Sequence, residues 1–158
     1  MSATLTVTHS ENIRLNGTQQ GSSNSFTIDS ITQIFKNIVT VPSGADTTIA
    51  AFKSTVGTAD GALDVENVKY IRVTNLDSTN PVNLSFQIDA GEDDSAADEM
   101  ATFQLLAGQS WIMGDADECA SVDDDAASID VTFHPLESII ADSVSANVQV
   151  EVLIASIN

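Results

Sequence analysis

Seven residues, Val82-Asn-Leu-Ser-Phe-Gln-Ile88, alternate apolar and polar without a break. In an extended chain successive side chains point to opposite faces. The pattern therefore puts Val82, Leu84, Phe86 and Ile88 on one side of a strand and the polar residues on the other. A helix would scatter the same four side chains around its circumference. The same period recurs at residues 4–8, 68–75, 128–133 and 147–154, the last placing Val148, Val150, Val152 and Ile154 on one face. Shorter apolar or β-branched runs at 12–15, 26–28, 47–52, 101–106 and 110–113 read as further strands. Residues 30–41 are ambiguous: Ile31, Ile34, Phe35 and Ile38 have helical spacing, while the run Ile38-Val39-Thr40-Val41 predicts a strand over 37–41.

Turn chemistry separates these runs. Asn16-Gly17 is a two-residue hairpin signal, and Pro42-Ser43-Gly44, residues 77–81 and Ala107-Gly108-Gln109 read as turns. Residues 18–25, rich in Gly, Ser, Gln and Asn, predict an exposed loop, as do 57–61 and the acidic stretches 90–99 and 114–127. Roughly ten short strands with no long amphipathic helix predict an all-β fold. The expected architecture is an antiparallel β-sandwich, jelly-roll-like, as one domain over residues 1–158. Within it, residues 1–25 form either an extended arm or the first hairpin. A chain of 158 residues buries enough surface to fold without a staple, and one cysteine, Cys119, allows no internal disulfide.

Charge excludes several classes of function. Five cations, Arg14, Lys36, Lys53, Lys69 and Arg72, face 23 carboxylates, for a net charge of −18. Such a field repels phosphate backbones and anionic lipid, so neither a nucleic acid nor a membrane is expected as a partner. The opening Met-Ser-Ala-Thr-Leu-Thr-Val has no basic segment and no apolar run, and is not read as a signal peptide. Manufacture in a cytoplasm is the expectation.

No constellation points to catalysis. His9 and His134 lack partners at metal-ligand spacing, and no Gly-x-Ser-x-Gly elbow or Gly-rich phosphate loop occurs. A calcium loop starting at Asp115 fails because Cys119 and Ala120 stand where a ligand and a glycine are needed. The acidic groups Glu92-Asp93-Asp94 with Asp98-Glu99, and Asp115, Asp117, Glu118 with Asp123-Asp124-Asp125, read as solvated loops. Cys119 sits among carboxylates that disfavour a thiolate. Trp111 and Tyr70 lie in apolar strand patterns and read as core rather than as sugar-stacking platforms. The expectation is a protein with no cofactor, no metal and no enzymatic activity.

Two segments carry a resemblance. Val68-Lys-Tyr-Ile-Arg-Val-Thr-Asn-Leu-Asp77, followed by Val82-Asn-Leu-Ser-Phe86, is one, and Phe103-Gln-Leu-Leu-Ala-Gly-Gln-Ser-Trp-Ile-Met113 is the other. With Leu15-Asn16-Gly17, they resemble small β-sandwich structural proteins of tailed phages, notably marine and cyanobacterial ones. The resemblance implies a virion protein that decorates a capsid by contacts with the major capsid protein or another virion protein. It also implies a homo-oligomer, with a trimer favoured. Alternatives are a head-fibre, neck or tail component, or a module that binds carbohydrate or a host surface. The expected interface lies in the amino-terminal stretch, at Leu5, Val7, Ile13, Arg14 and Leu15, where alternating strands can add to a neighbour's sheet.

Overall fold

The computed structural model describes residues 2–54, 56, 61–89, 99–121 and 132–157. Among them are twelve strands: β1 (Ala3–Ser10), β2 (Arg14–Leu15), β3 (Thr18–Gln19), β4 (Ser23–Val41), β5 (Thr47–Lys53), β6 (Leu63–Asp64), β7 (Val68–Asn75), β8 (Val82–Ile88), β9 (Glu99–Leu105), β10 (Ser110–Met113), β11 (Leu136–Asp142) and β12 (Val148–Ile157). A single 3-10 turn, Val65–Asn67, precedes β7. Sheet one has the order β1-β4-β12-β7-β10 and sheet two β6-β5-β11-β8-β9, while β2 and β3 pair with each other. All pairings are antiparallel except β5 with β6.

The order encodes a winding. β8 pairs with β9, β7 with β10, β5 with β11 and β4 with β12. These pairs are nested like the rungs of one long hairpin, and successive rungs fall in alternate sheets. That connectivity is the eight-stranded jelly roll. The chain is therefore an all-β sandwich of jelly-roll type, with β1 added to the edge of sheet one.

The two inner faces supply one core. Val68, Ile71 and Val73 of β7 and Val148, Val150, Val152 and Ile154 of β12 meet Val82, Leu84 and Phe86 of β8 and Leu136 and Ile139 of β11. Each fully buried Val, Leu, Ile or Phe contributes about 1.5–3 kcal/mol relative to exposure. Phe86, Phe103 and Trp111 close the flank where β9 and β10 meet, with ring centroids 4.3–5.9 Å apart. Tyr70 is buried, but in a second cluster outside the sandwich, with Val7, Ile31 and Ala155.

The two segments behind the resemblance meet at one side chain. Asn75 is fully buried, and its Nδ2 donates to the carbonyls of Asn80 and Leu105 at 2.9 and 3.1 Å. Its Oδ1 accepts from the Asp77 amide at 2.9 Å, and its backbone pairs with Gln109 and Gly108. Asp77 Oδ1 in turn accepts from the amides of Thr79 and Asn80, both at 2.7 Å. The "Val-Thr-Asn" ending and the "Ala-Gly-Gln-Ser" turn are thus two halves of one staple that ties β7, β8, β9 and β10 together. Gly108, at φ 73°, supplies the left-handed residue this turn needs.

Several expectations need correction. Residues 18–25 are not a loop: they form β3 and the start of β4, hydrogen-bonded back to the outgoing leg. The strand placed at 37–41 is only the end of a 19-residue strand. Thr132 and Phe133, expected in a strand, lie outside one, and residues 128–131 of that expectation fall outside the described residues. The strand of this region is β11, after Pro135, and sequence reading missed it.

Candidate interaction surface

β4 is shared between two partners. Its first half, from Ser23 to Ile31, pairs with β1, and its second half, from Ile31 to Val41, pairs with β12. The handover is marked by Ser30 at φ 63°, a conformation most non-glycine residues avoid, and by register shifts on both sides. Beyond this bulge, β1 and β4 run on as a two-stranded ribbon. The ladder continues through Glu11 N to Ser22 O at 2.8 Å and Gln20 N to Ile13 O at 2.9 Å, into the β2–β3 pair. Asn16 (φ 49°) and Gly17 (φ 82°) close it, the two left-handed residues of a type I′ turn. The whole is one hairpin arm, each leg roughly 40 Å long at ~3.4 Å per residue.

Register sorts the arm's side chains. Leu5 lies opposite Ile28 and Val7 opposite Phe26, which puts the apolar residues on one face. Thr6, Thr8 and Ser10 oppose Thr27, Ser25 and Ser23 on the other, with Thr8 and Ser25 hydroxyls 2.9 Å apart. At the base the apolar face is covered: Leu5, Val7, Ile28 and Ile31 cluster with Tyr70, Leu153, Ala155 and Ile157. Further out the cover ends. Phe26 stacks on His9 yet is 42% exposed, and at the tip Ile13 and Leu15 are 55% and 60% exposed. Arg14 donates from Nε to Gly17 O at 3.2 Å and pairs with no carboxylate among the described residues.

The five residues expected to form an interface are thus divided. Leu5 and Val7 help hold the arm to the body, while Ile13, Arg14 and Leu15 are presented to solvent at its tip. Residues 2–31 hold only two carboxylates, Glu11 and Asp29, of the chain's 23. Sequence reading missed Gly21. A Cβ built there would lie 2.0 Å from the Glu11 carbonyl oxygen, so only glycine lets the two legs approach.

A second surface is the outer face of sheet one. Inward Phe35, Val39, Val152 and Ile154 fix the alternation, leaving Ile34, Lys36 and Ile38 of β4 on the other side with Glu151, Leu153, Tyr70, Arg72 and Ile112. Glu151 sits between two cations, 3.0 Å from Lys36 and in a short contact with Arg72. The hydrogen bond from Lys36 is the main reason its carboxyl is held below the usual glutamate range, with Arg72 adding to the effect.

The body also holds a cleft of about 420 Å³, and residues lining it include Phe52, Lys53, Asp89, Asp117, Glu137 and Ser138. Neither histidine and not Cys119 is among those lining it. His134 exchanges backbone hydrogen bonds with Ala120 and Cys119. Burial, with a smaller push from Asp115, raises the Cys119 thiol to about 11. Among the described residues no group of three or more His, Cys, Asp or Glu is arranged to hold a metal ion. Of the acidic groups singled out in the sequence, Glu92–Asp94, Asp98 and Asp123–Asp125 lie outside the described residues. Comparison with protein-family models, with curated proteins and with solved structures gives no match.

Proposed function

We propose that this chain is a non-enzymatic structural protein of a virion, which decorates and stabilises a phage capsid through its hairpin arm. The observation that carries the docking part is the arm itself, a near-neutral ribbon with exposed Ile13 and Leu15 on a chain of net charge −18. The capsid part rests on the resemblance of the segments at 68–86 and 103–113 and on the jelly roll, a fold used by capsid proteins among others.

The arm is built to add to another sheet. Natural edge strands are guarded by lysine, proline, inward charges or bulges. From Ala3 to Thr8, β1 has no charged residue and no proline, and its far edge has no strand partner among the described residues. A strand of the major capsid protein or another virion protein can pair there through main-chain hydrogen bonds. Ile13 and Leu15 then enter apolar pockets, each contributing about 1.5–3 kcal/mol before ordering costs. Arg14 supplies the charge that meets a carboxylate on the partner.

The test is co-sedimentation with preassembled shells of the phage that encodes the chain, at ~0.15 M salt, where the Debye length is about 8 Å. Intact protein is expected to sediment with the shells, and the Ile13→Asp/Leu15→Asp variant to bind at least tenfold more weakly. Deletion of residues 2–25 should abolish binding. If the double variant binds as the intact protein does, the arm is not the docking element. If the intact protein stays in the supernatant, capsid decoration is wrong.

A further inference from the structure

The outer face of sheet one, like the arm, departs from the strong acidity of the chain as a whole. Its cross-strand rows are Ile34-Ala155-Tyr70, where the base of the arm already covers Ala155 and Tyr70, then Lys36-Leu153-Arg72-Ile112, then Ile38-Glu151-Thr74-Ser110. Two cations and one carboxylate give these rows a net charge of +1, on a chain whose total is −18. Ile34 and Ile38 are 54% and 53% exposed, and Ile112 37%. Two copies approaching through any acidic region pay for uncompensated repulsion. On this face the one carboxylate is already paired from both sides.

We infer that this face is the docking site for a second copy of the chain, packed sheet on sheet about a two-fold axis. Low charge admits a second copy here, and the pattern of the face selects it. A chain this acidic can meet itself only where carboxylates are absent or neutralised, and these rows meet that condition. The face is also self-complementary. Around a two-fold, each Glu151 can approach Lys36 or Arg72 of the other copy while the Ile34 and Ile38 patches meet in the middle. A face that packs on its own copy closes at two, so this contact is distinct from the trimer that the resemblance implies. Outside the part the arm covers, four strands ~4.8 Å apart and some four residues long give a plan area on the order of 250 Å², small beside standard interfaces. The dimer is therefore weak and concentration-dependent.

The inference stands independently of capsid binding and is tested without shells. Sedimentation equilibrium of the full chain, from ~10 to ~500 µM, should show a monomer–dimer equilibrium that strengthens as salt rises to ~0.15 M. Ile34→Asp/Ile38→Asp should return the monomer at every concentration, with an unchanged β-sheet spectrum. Ile112→Lys, on a different strand, should weaken the dimer at least tenfold, while Ile13→Asp/Leu15→Asp at the arm tip should leave it intact. A chain that is monomeric throughout overturns the inference. So does an oligomer that survives the β4 variants, one that dissolves with the arm-tip variant, or one that closes at three. A monomer that still sediments with shells would overturn this inference alone, and a dimer that ignores shells would overturn only the decoration reading.

Discussion

Replacing Gly21 with alanine isolates the arm from the body. The added Cβ would sit 2.0 Å from Glu11 O, 2.6 Å from Glu11 C and 3.1 Å from the Asn12 Cα. All three are backbone atoms, so no side chain can rotate away, and the legs must part. The adjoining bonds, Glu11 N to Ser22 O and Gln20 N to Ile13 O, are the ones in the way. Each is worth about 0.5–1.5 kcal/mol net, so losing both costs roughly 1–3 kcal/mol of local stability. That energy belongs to a ribbon attached through one small cluster, and local opening need not involve the main core. Amide exchange read residue by residue should therefore speed up by about 5- to 150-fold for arm amides that exchange by local opening, while β7, β8 and β12 keep their protection. The thermal midpoint should move little, because on heating the arm opens before the sandwich does. Gly17→Ala is the control: nothing lies within 4 Å of its Cβ, so only the strain of φ 82° is felt. Unchanged arm protection in Gly21→Ala, or a fall in midpoint as large as a core truncation gives, would refute this account of the arm.

Other consequences follow from the body. Ile154→Ala removes a side chain with no exposed surface at the centre of sheet one and should cost about 2–5 kcal/mol in urea unfolding. Glu151 contributes stability that is complete above its unfolded value of about 4.3 and disappears as pH falls through its lower folded value. Glu151→Gln should therefore flatten the acid limb of the stability profile, and an unaltered limb would remove Glu151 from it. The Cys119 thiol, at about 11, should react with iodoacetamide at pH 7.5 roughly two orders of magnitude more slowly than a free cysteine of pKa ~8.5. A rate equal to that of free cysteine would show that the thiol is not buried as described.

What could be read from sequence depended on whether one face of a strand was polar. β7 and β8 were legible because their outward residues are mostly polar while Val68, Val73, Val82, Leu84 and Phe86 face the core. The second half of β4 was not. Inward Phe35 and Val39 alternate with outward Ile34 and Ile38, so both faces are apolar and the spacing mimics a helix. The residues that hid the strand are those of the second candidate surface. β11 was lost for another reason: register shifts after Leu136 and between Ile139 and Ile140 break its alternation. The arm's interface residues were named together because periodicity assigns a face and not its cover. Only the fold shows that Tyr70 and Ala155 cover Val7 and leave Ile13 bare.

The nested winding also sets when this molecule can fold. β12 lies between β4 and β7 in sheet one, yet follows every other strand along the chain. Val41 pairs with Val148 across about two thirds of the sequence. Until β12 emerges, β4 and β7 have no strand to join them, and their apolar faces wait unpaired. Non-local pairing of this kind makes closure slow, because loop entropy is lost before the contacts that reward it form. On the ribosome, then, the arm can zip early from its Asn16-Gly17 turn, while the sandwich closes in one late step. During that interval the nascent chain carries its own protection, since a strongly acidic polymer resists association with its neighbours.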